Sequence, residues 1–180
     1  MFLYFSLVIP IVSSVFLHYS LGSWLIPSGL AYFDDSLIKD NISVFIMSIL
    51  CFFTPLINDD DYVIVTTMLI MSFLGFYEFY LGFSLCFDSL TFVTQYGRFW
   101  FKNYNSSHVL TINSRFKCCD FHRLGEFRTT LCDIKHSQSC VSAIHSALYP
   151  SIKSTGYILI GHFLCHMVSS FLLFNKYMYP

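Results

Sequence analysis

Four long stretches with almost no formal charge dominate this sequence, and they decide what the chain can fold into. Met1 to Leu25 carries no charged residue, and Ile42 to Ile57 lies uncharged between Asp40 and Asp59. Tyr62 to Phe87 is interrupted only by Glu78, and Tyr157 to Phe174 is again uncharged. A helix of about 20 apolar residues crosses a hydrocarbon core roughly 30 Å thick. No water is available there to pair backbone groups, so such stretches must close their hydrogen bonds internally, as helices. The many Phe and Val residues favour strands in water, but apolarity sustained over this length outweighs that preference. The expected fold is therefore an all-α membrane protein with four transmembrane helices. Composition agrees: 55% of the 180 residues are apolar, only 12% are charged and mean hydropathy is +0.59. A soluble domain devotes about a quarter of its residues to charge, so a soluble monomer is excluded. A net charge of −1 gives no basic field for nucleic acid.

The connections set the organisation. Residues 26–41 form a short first loop, residues 58–61 a tight acidic turn and residues 88–156 a large polar loop, with 175–180 as a tail. A four-residue connection forces the helices over 42–57 and 62–87 into an antiparallel hairpin. Twelve of the 21 charged residues fall in residues 86–155. The N-terminal stretch over 1–25 has small residues at Ser13 and Ser14, as a cleaved leader would. It lacks a positive flank and is longer than a leader's apolar core, so it is expected to remain as a span.

Seven cysteines are present, and Cys118, Cys119, Cys132 and Cys140 cluster in the large loop. Clustered cysteines in a small polar module suggest a disulfide framework in an oxidising compartment. Adjacent cysteines rarely bond to each other, which leaves two pairings open. Zinc is the alternative, with His122 and His136 nearby, but adjacent cysteines lack the usual ligand spacing. Asn105-Ser106-Ser107 is a glycosylation acceptor in the same loop. Asn41-Ile42-Ser43 also matches that pattern, but lies too close to a span.

Four spans, a short first loop, a tiny second loop and a large cysteine-bearing third loop together resemble the tetraspanin family, as a divergent, short member. Leu21-Gly22-Ser23-Trp24-Leu25 resembles the G-x-W-L that ends the family's first helix. Glu78-Phe79-Tyr80-Leu81-Gly82 resembles its E-x-x-x-G in the third. Cys118-Cys119-Asp120 resembles its C-C-G, with aspartate in place of glycine, and Leu159-Ile160-Gly161 the start of its fourth helix. No proline precedes Cys132 in the family's P-x-x-C manner. The resemblance implies disulfides Cys118–Cys140 and Cys119–Cys132 in a mainly helical extracellular domain, with both termini cytoplasmic. It implies a plasma-membrane or endosomal glycoprotein at the cell surface that is not an enzyme. Such a protein scaffolds partner membrane proteins in the same bilayer, contacts membrane lipids and forms homo-oligomers. No cofactor is expected beyond a sterol or other lipid in an intramembrane cavity.

Orientation sets two rules against each other. The large loop carries eight basic residues against four acidic ones, which by the positive-inside rule favours the cytosol. That rule weakens for loops beyond about 60 residues, so the disulfide reading and the resemblance decide for the outside. Glu78 is the formally charged residue deep within a span and must be neutral, paired or facing a wet cavity. Counting inward from Phe87 and Tyr157 places Glu78 and His166 at one depth, roughly 13 Å in, with His162 a turn above. A Glu78–His166 contact is expected, closing the bundle or lining a cavity. His162 and His166 also form an i, i+4 pair of the kind that binds metal on a helix, but the sequence offers no firm third ligand, so no metal site is expected. Cys51 is a candidate for S-palmitoylation. The loop's Tyr96, Phe99, Trp100, Phe101 and Tyr104 suggest either an exposed aromatic patch for partners or a helix lying on the membrane. Gly22/Ser23 and Ser169/Ser170 offer small faces for helix contacts. No nucleophile elbow or phosphate loop is present. Two other readings stand beside the scaffold: a channel or transporter subunit using Glu78, His162 and His166, and a small structural subunit of a large membrane complex.

Overall fold

A computed structural model describes residues 2–32, 36–57, 60–122 and 138–178. The regular structure in these residues is helical: α1 (Phe2–Ser28), a single 3-10 turn (Leu30–Tyr32), α2 (Ser36–Ile57), α3 (Asp61–Phe87), α4 (Ser89–Gln95), α5 (Gly97–Asn103), α6 (Ser107–Phe116) and α7 (Cys140–Met178). Among the described residues, three segments are long and apolar enough to cross a membrane: Val8–Ser28, Asp61–Phe87 and Cys140–Asn175. α2 is 22 residues long, and its uncharged part is residues 42–57.

The bundle is built inside out relative to a soluble protein. The buried face of α3 runs Ile64, Thr67, Met71, Gly75, Glu78, Gly82 and Leu85, a three-and-four spacing that brings Thr67, Gly75, Glu78 and Gly82 inward among apolar side chains. Its outer face presents Phe73, Phe76, Tyr80, Phe83 and Phe87, between 49% and 75% exposed. Leu164, Val168, Phe171 and Phe174 do the same on α7. Large apolar side chains turned outward in rows suit a hydrocarbon solvent, because in water each would forgo about 1.5–3 kcal/mol of burial. With no hydrophobic drive between helices in lipid, contact rests on close packing and polar bonds. α3 and α7 supply the first at Gly82 and Gly156. A Cβ on Gly82 would lie 2.8 Å from the Gly156 carbonyl oxygen, and one on Gly156 would lie 2.6 Å from Cys86 Sγ. Thr155 supplies the second: its Oγ1 accepts from Trp24 Nε1 at 2.9 Å and lies 3.1 Å from Ser20 Oγ.

Of the small faces, Ser169 and Ser170 are buried, and Ser170 Oγ accepts from Ser72 Oγ at 3.4 Å. Gly22 meets nothing, since a Cβ there would have open space. Ser23 is exposed and bonds back to Ser20 O. That pair lies away from the buried positions of α1, which include Ser14, Leu17, Leu21, Trp24, Leu25 and Ser28.

Residues 89–122 fold onto the end of this bundle. A core continuous with it joins Trp24, Leu25 and Leu30 to Phe92, Tyr96, Trp100, Ile112 and Phe121, and to Ile144 of α7. Ser106 caps α6 by accepting from Val109 N at 3.3 Å, and Lys117 ends that helix in the left-handed region at φ 48°. Arg115 Nη1 donates to the Pro27 carbonyl, tying α6 to the end of α1. Cys118 and Cys140 are joined by a disulfide, with Cα atoms 4.9 Å apart. Backbone bonds flank it: Cys119 N to Gln138 O at 3.0 Å, Cys140 N to Asp120 O at 2.9 Å and Val141 N to Phe121 O at 3.0 Å. Asp120 has φ 55°, a left-handed conformation that glycine adopts freely and aspartate tolerates better than most residues. Cys119 is also disulfide-bonded, and Cys132, its expected partner, lies outside the described residues, as does His136.

The expected aromatic patch is divided. Tyr96 and Trp100 are 3% and 1% exposed and belong to the core, while Phe99, Phe101 and Tyr104 remain outside. Amphipathic packing of two short helices explains the split, because positions four apart share one face.

Candidate functional site

Polar side chains converge where α1, α3 and α7 meet. Glu78 is 1% exposed, His162 1% and His166 0%. His162 Nδ1 lies 2.5 Å from Glu78 Oε1. Its other ring nitrogen, Nε2, lies 2.7 Å from the Pro10 carbonyl oxygen and 3.1 Å from Ser14 Oγ. A carbonyl oxygen only accepts, so Nε2 carries a hydrogen and donates to Pro10. In the neutral ring that leaves the lone pair on Nδ1, facing Glu78. A lone pair facing a carboxylate is repulsive, so one proton must lie between Nδ1 and Oε1, whichever atom formally holds it.

His166 takes a different position from the one counted along the sequence. Its Nε2 is 3.4 Å from Glu78 Oε2 but is not aligned as a hydrogen bond. Glu78 thus contacts both histidines, with His162 the nearer. The reason is the register of the two helices. Gly82 faces Gly156 and Leu159, and Gly75 faces Phe163 and His166. Between those two crossings Glu78 falls opposite residue 162. Counting both helices from common outer ends at Phe87 and Tyr157 sets α7 about one turn too far along.

The cluster also leaves polar atoms over. Among the described residues, Glu78 Oε2, both ring nitrogens of His166, both amide atoms of Asn41 and Ser48 Oγ are buried without a hydrogen-bond partner. Each such group costs about 1–3 kcal/mol when left unpaired. Glu78, Asn41, Asp40 and Tyr77 line one small cavity between α2 and α3, of about 20 Å³. That is room for about one water molecule. Tyr77 donates to Asp40 Oδ2 at 2.7 Å on its wall. A separate apolar cleft of about 320 Å³ opens between α1 and α2, lined by Ser14, Val15, His18, Asn41, Ile42 and Phe45.

The spacing of His162 and His166 marks them as facing one way, and the charge of Glu78 marks it as needing a partner. Asn41, Ser14 and the Pro10 carbonyl carry no such signal; an asparagine beside an apolar run was the nearest hint. Cys51 is 4% exposed, buried between α2 and α3, and so presents little thiol for acylation. Asn105 is exposed in the turn after α5, where a glycan has room. His122 stacks edge-on with Phe121 at 4.8 Å. No protein-family model, curated protein or solved structure matches the chain.

Proposed function

We propose that the chain is a tetraspanin-like, non-enzymatic membrane scaffold. In this reading α2 spans the bilayer with the other three long helices. Both termini are cytoplasmic, and residues 88–156 stand outside the plasma membrane or an endosomal membrane. The observation that carries it is the small helical unit over 89–122, closed onto α7 by Cys118–Cys140 and sharing one core with the bundle ends. A disulfide stabilises a short module by about 2–4 kcal/mol and persists only in an oxidising compartment, which favours the outer side. Phe99, Phe101 and Tyr104, 39–44% exposed on that unit, are the surface offered to partner proteins. The outward Phe rows of α3 and α7 and the cleft beside Asn41 offer lipid or sterol contacts.

The channel reading has less support, because Glu78, His162 and His166 are sealed at 0–1% exposure. The test has two parts. An impermeant thiol reagent is applied to intact cells carrying a single cysteine at Ser107, which should be labelled. A photo-crosslinker at Phe101 should then trap neighbouring membrane proteins, and exchanging residues 89–139 for an unrelated helical hairpin should abolish those crosslinks without blocking delivery. Labelling only after permeabilisation, or crosslinks unchanged by the exchange, refutes the reading.

A further inference from the structure

We propose that Glu78, His162 and His166 form an intramembrane binding site for a divalent transition-metal ion of the zinc type, clamping α3 to α7 beside α1. One carboxylate and two imidazoles are a donor set that suits zinc, with a fourth position left for water. One donor atom from each of the three side chains lies within 4.8 Å of the others. Ligand atoms around a tetrahedral zinc at about 2.0–2.1 Å lie roughly 3.3 Å apart, so small rotamer shifts close the site. The Glu78–His166 separation of 3.4 Å is already of that size.

Two independent observations point to a ligand there. The first is the orientation of His162. Its Nε2 donates to the Pro10 carbonyl, which fixes the tautomer and aims the Nδ1 lone pair into the cluster. Histidines that bind metals are held in this way by a backbone carbonyl on their far nitrogen. The second is the orphaned set. Glu78 Oε2 and His166 Nε2, both buried and facing each other, have no hydrogen-bond partner among the described residues. A cation between them serves both. A small cavity also touches Glu78, with room for about one water and the unpartnered amide of Asn41 on its wall. Binding is an exchange that balances: the metal enters as a dication, and the proton shared by His162 and Glu78 leaves to solvent.

The measurement uses the full chain purified in detergent, stripped with a chelator and reloaded with zinc chloride or cobalt chloride. The expected result is about one zinc per chain by elemental analysis, and a cobalt spectrum of a four-coordinate nitrogen–oxygen site. Glu78→Gln, His162→Gln and His166→Gln should each reduce the bound metal to near zero, whereas His122→Ala with His136→Ala should not. Should the bundle variants fail to fold, the wild-type cobalt spectrum decides alone. A sulfur charge-transfer band would place the metal at the cysteines and overturn the proposal. Less than about a tenth of an equivalent of zinc on folded wild-type protein would overturn it too. Neither result bears on the scaffold reading, which rests on the disulfide-closed unit.

Discussion

Gly156 and Gly82 give the sharpest test of how the bundle is held. Alanine at Gly82 places a methyl carbon 2.8 Å from the Gly156 carbonyl oxygen and 2.9 Å from Leu159 Cβ. Ordinary contact begins near 3.4 Å, so the backbones must part by about 0.6 Å. The obstructing atom is main chain and cannot rotate away. Overpacking of this kind costs about 1–3 kcal/mol. Alanine is also the better helix former, by about 0.8–1.0 kcal/mol, which would mask part of the loss. Gly161 supplies the correction, since it lies on α7 with nothing within 4 Å of an added Cβ. Gly161→Ala therefore reports the propensity term alone. The difference in melting temperature between Gly82→Ala and Gly161→Ala, measured on purified protein in one detergent, isolates the strain. At about 3 °C per kcal/mol for a chain of this size, Gly82→Ala should melt roughly 3–9 °C below Gly161→Ala. Gly156→Ala should behave like Gly82→Ala, and the double variant should lose less than the sum, because one separation relieves both contacts. Equal melting of Gly82→Ala and Gly161→Ala would show that α3 and α7 do not approach at this crossing, and would remove the register that sets Glu78 against His162.

The remaining predictions concern the outer unit and its seat. Cys140→Ser opens a bridge between residues separated by 22 positions, and should destabilise the unit by about 3 kcal/mol, read as proteolysis in residues 89–139 before the helices are cut. Asp120→Val forces a β-branched residue into φ 55° and should lower the melting temperature more than Asp120→Gly does; the reverse order would place Asp120 outside the left-handed region. Thr155→Val removes the acceptor for Trp24 Nε1 and the partner of Ser20 Oγ, and should cost about 1–3 kcal/mol in the same thermal assay, while Ser23→Ala on the exposed side of α1 should cost almost nothing.

What could be read from the sequence was whatever a long average carries. Freedom from charge over residues 1–25, 62–87 and 157–174 marks three helices that are apolar enough to cross a membrane, because length and composition suffice for that. The span over 42–57 was read from the same feature, and its helix, α2, begins six residues earlier, at Ser36. The start of α7 was not legible. Nothing in Cys140 to Gly156 announces whether a polar helix stops at the membrane or runs into it, and α7 runs through Pro150 without a break. The burial of Tyr96 and Trp100 beside exposed Phe99 and Phe101 depends on which face meets Trp24 and Phe121, a tertiary fact. For the polar cluster, the sequence named Glu78, His162 and His166 but not their order of contact. That order follows from where two glycines let the helices touch, and a backbone carbonyl such as that of Pro10 leaves no trace in side-chain chemistry.

The helix Cys140–Met178 has a mechanical consequence. At about 1.5 Å per residue its 39 residues make a rod close to 58 Å long, with the disulfide at one end and His162 and His166 in the middle. No loop intervenes to absorb motion between them. A torque applied to the outer unit therefore arrives at the buried histidines as rotation, about 100° of helical phase per residue being fixed along the shaft. Pro150 is its weak section, since proline removes one main-chain hydrogen bond there and allows bending without permitting free twist.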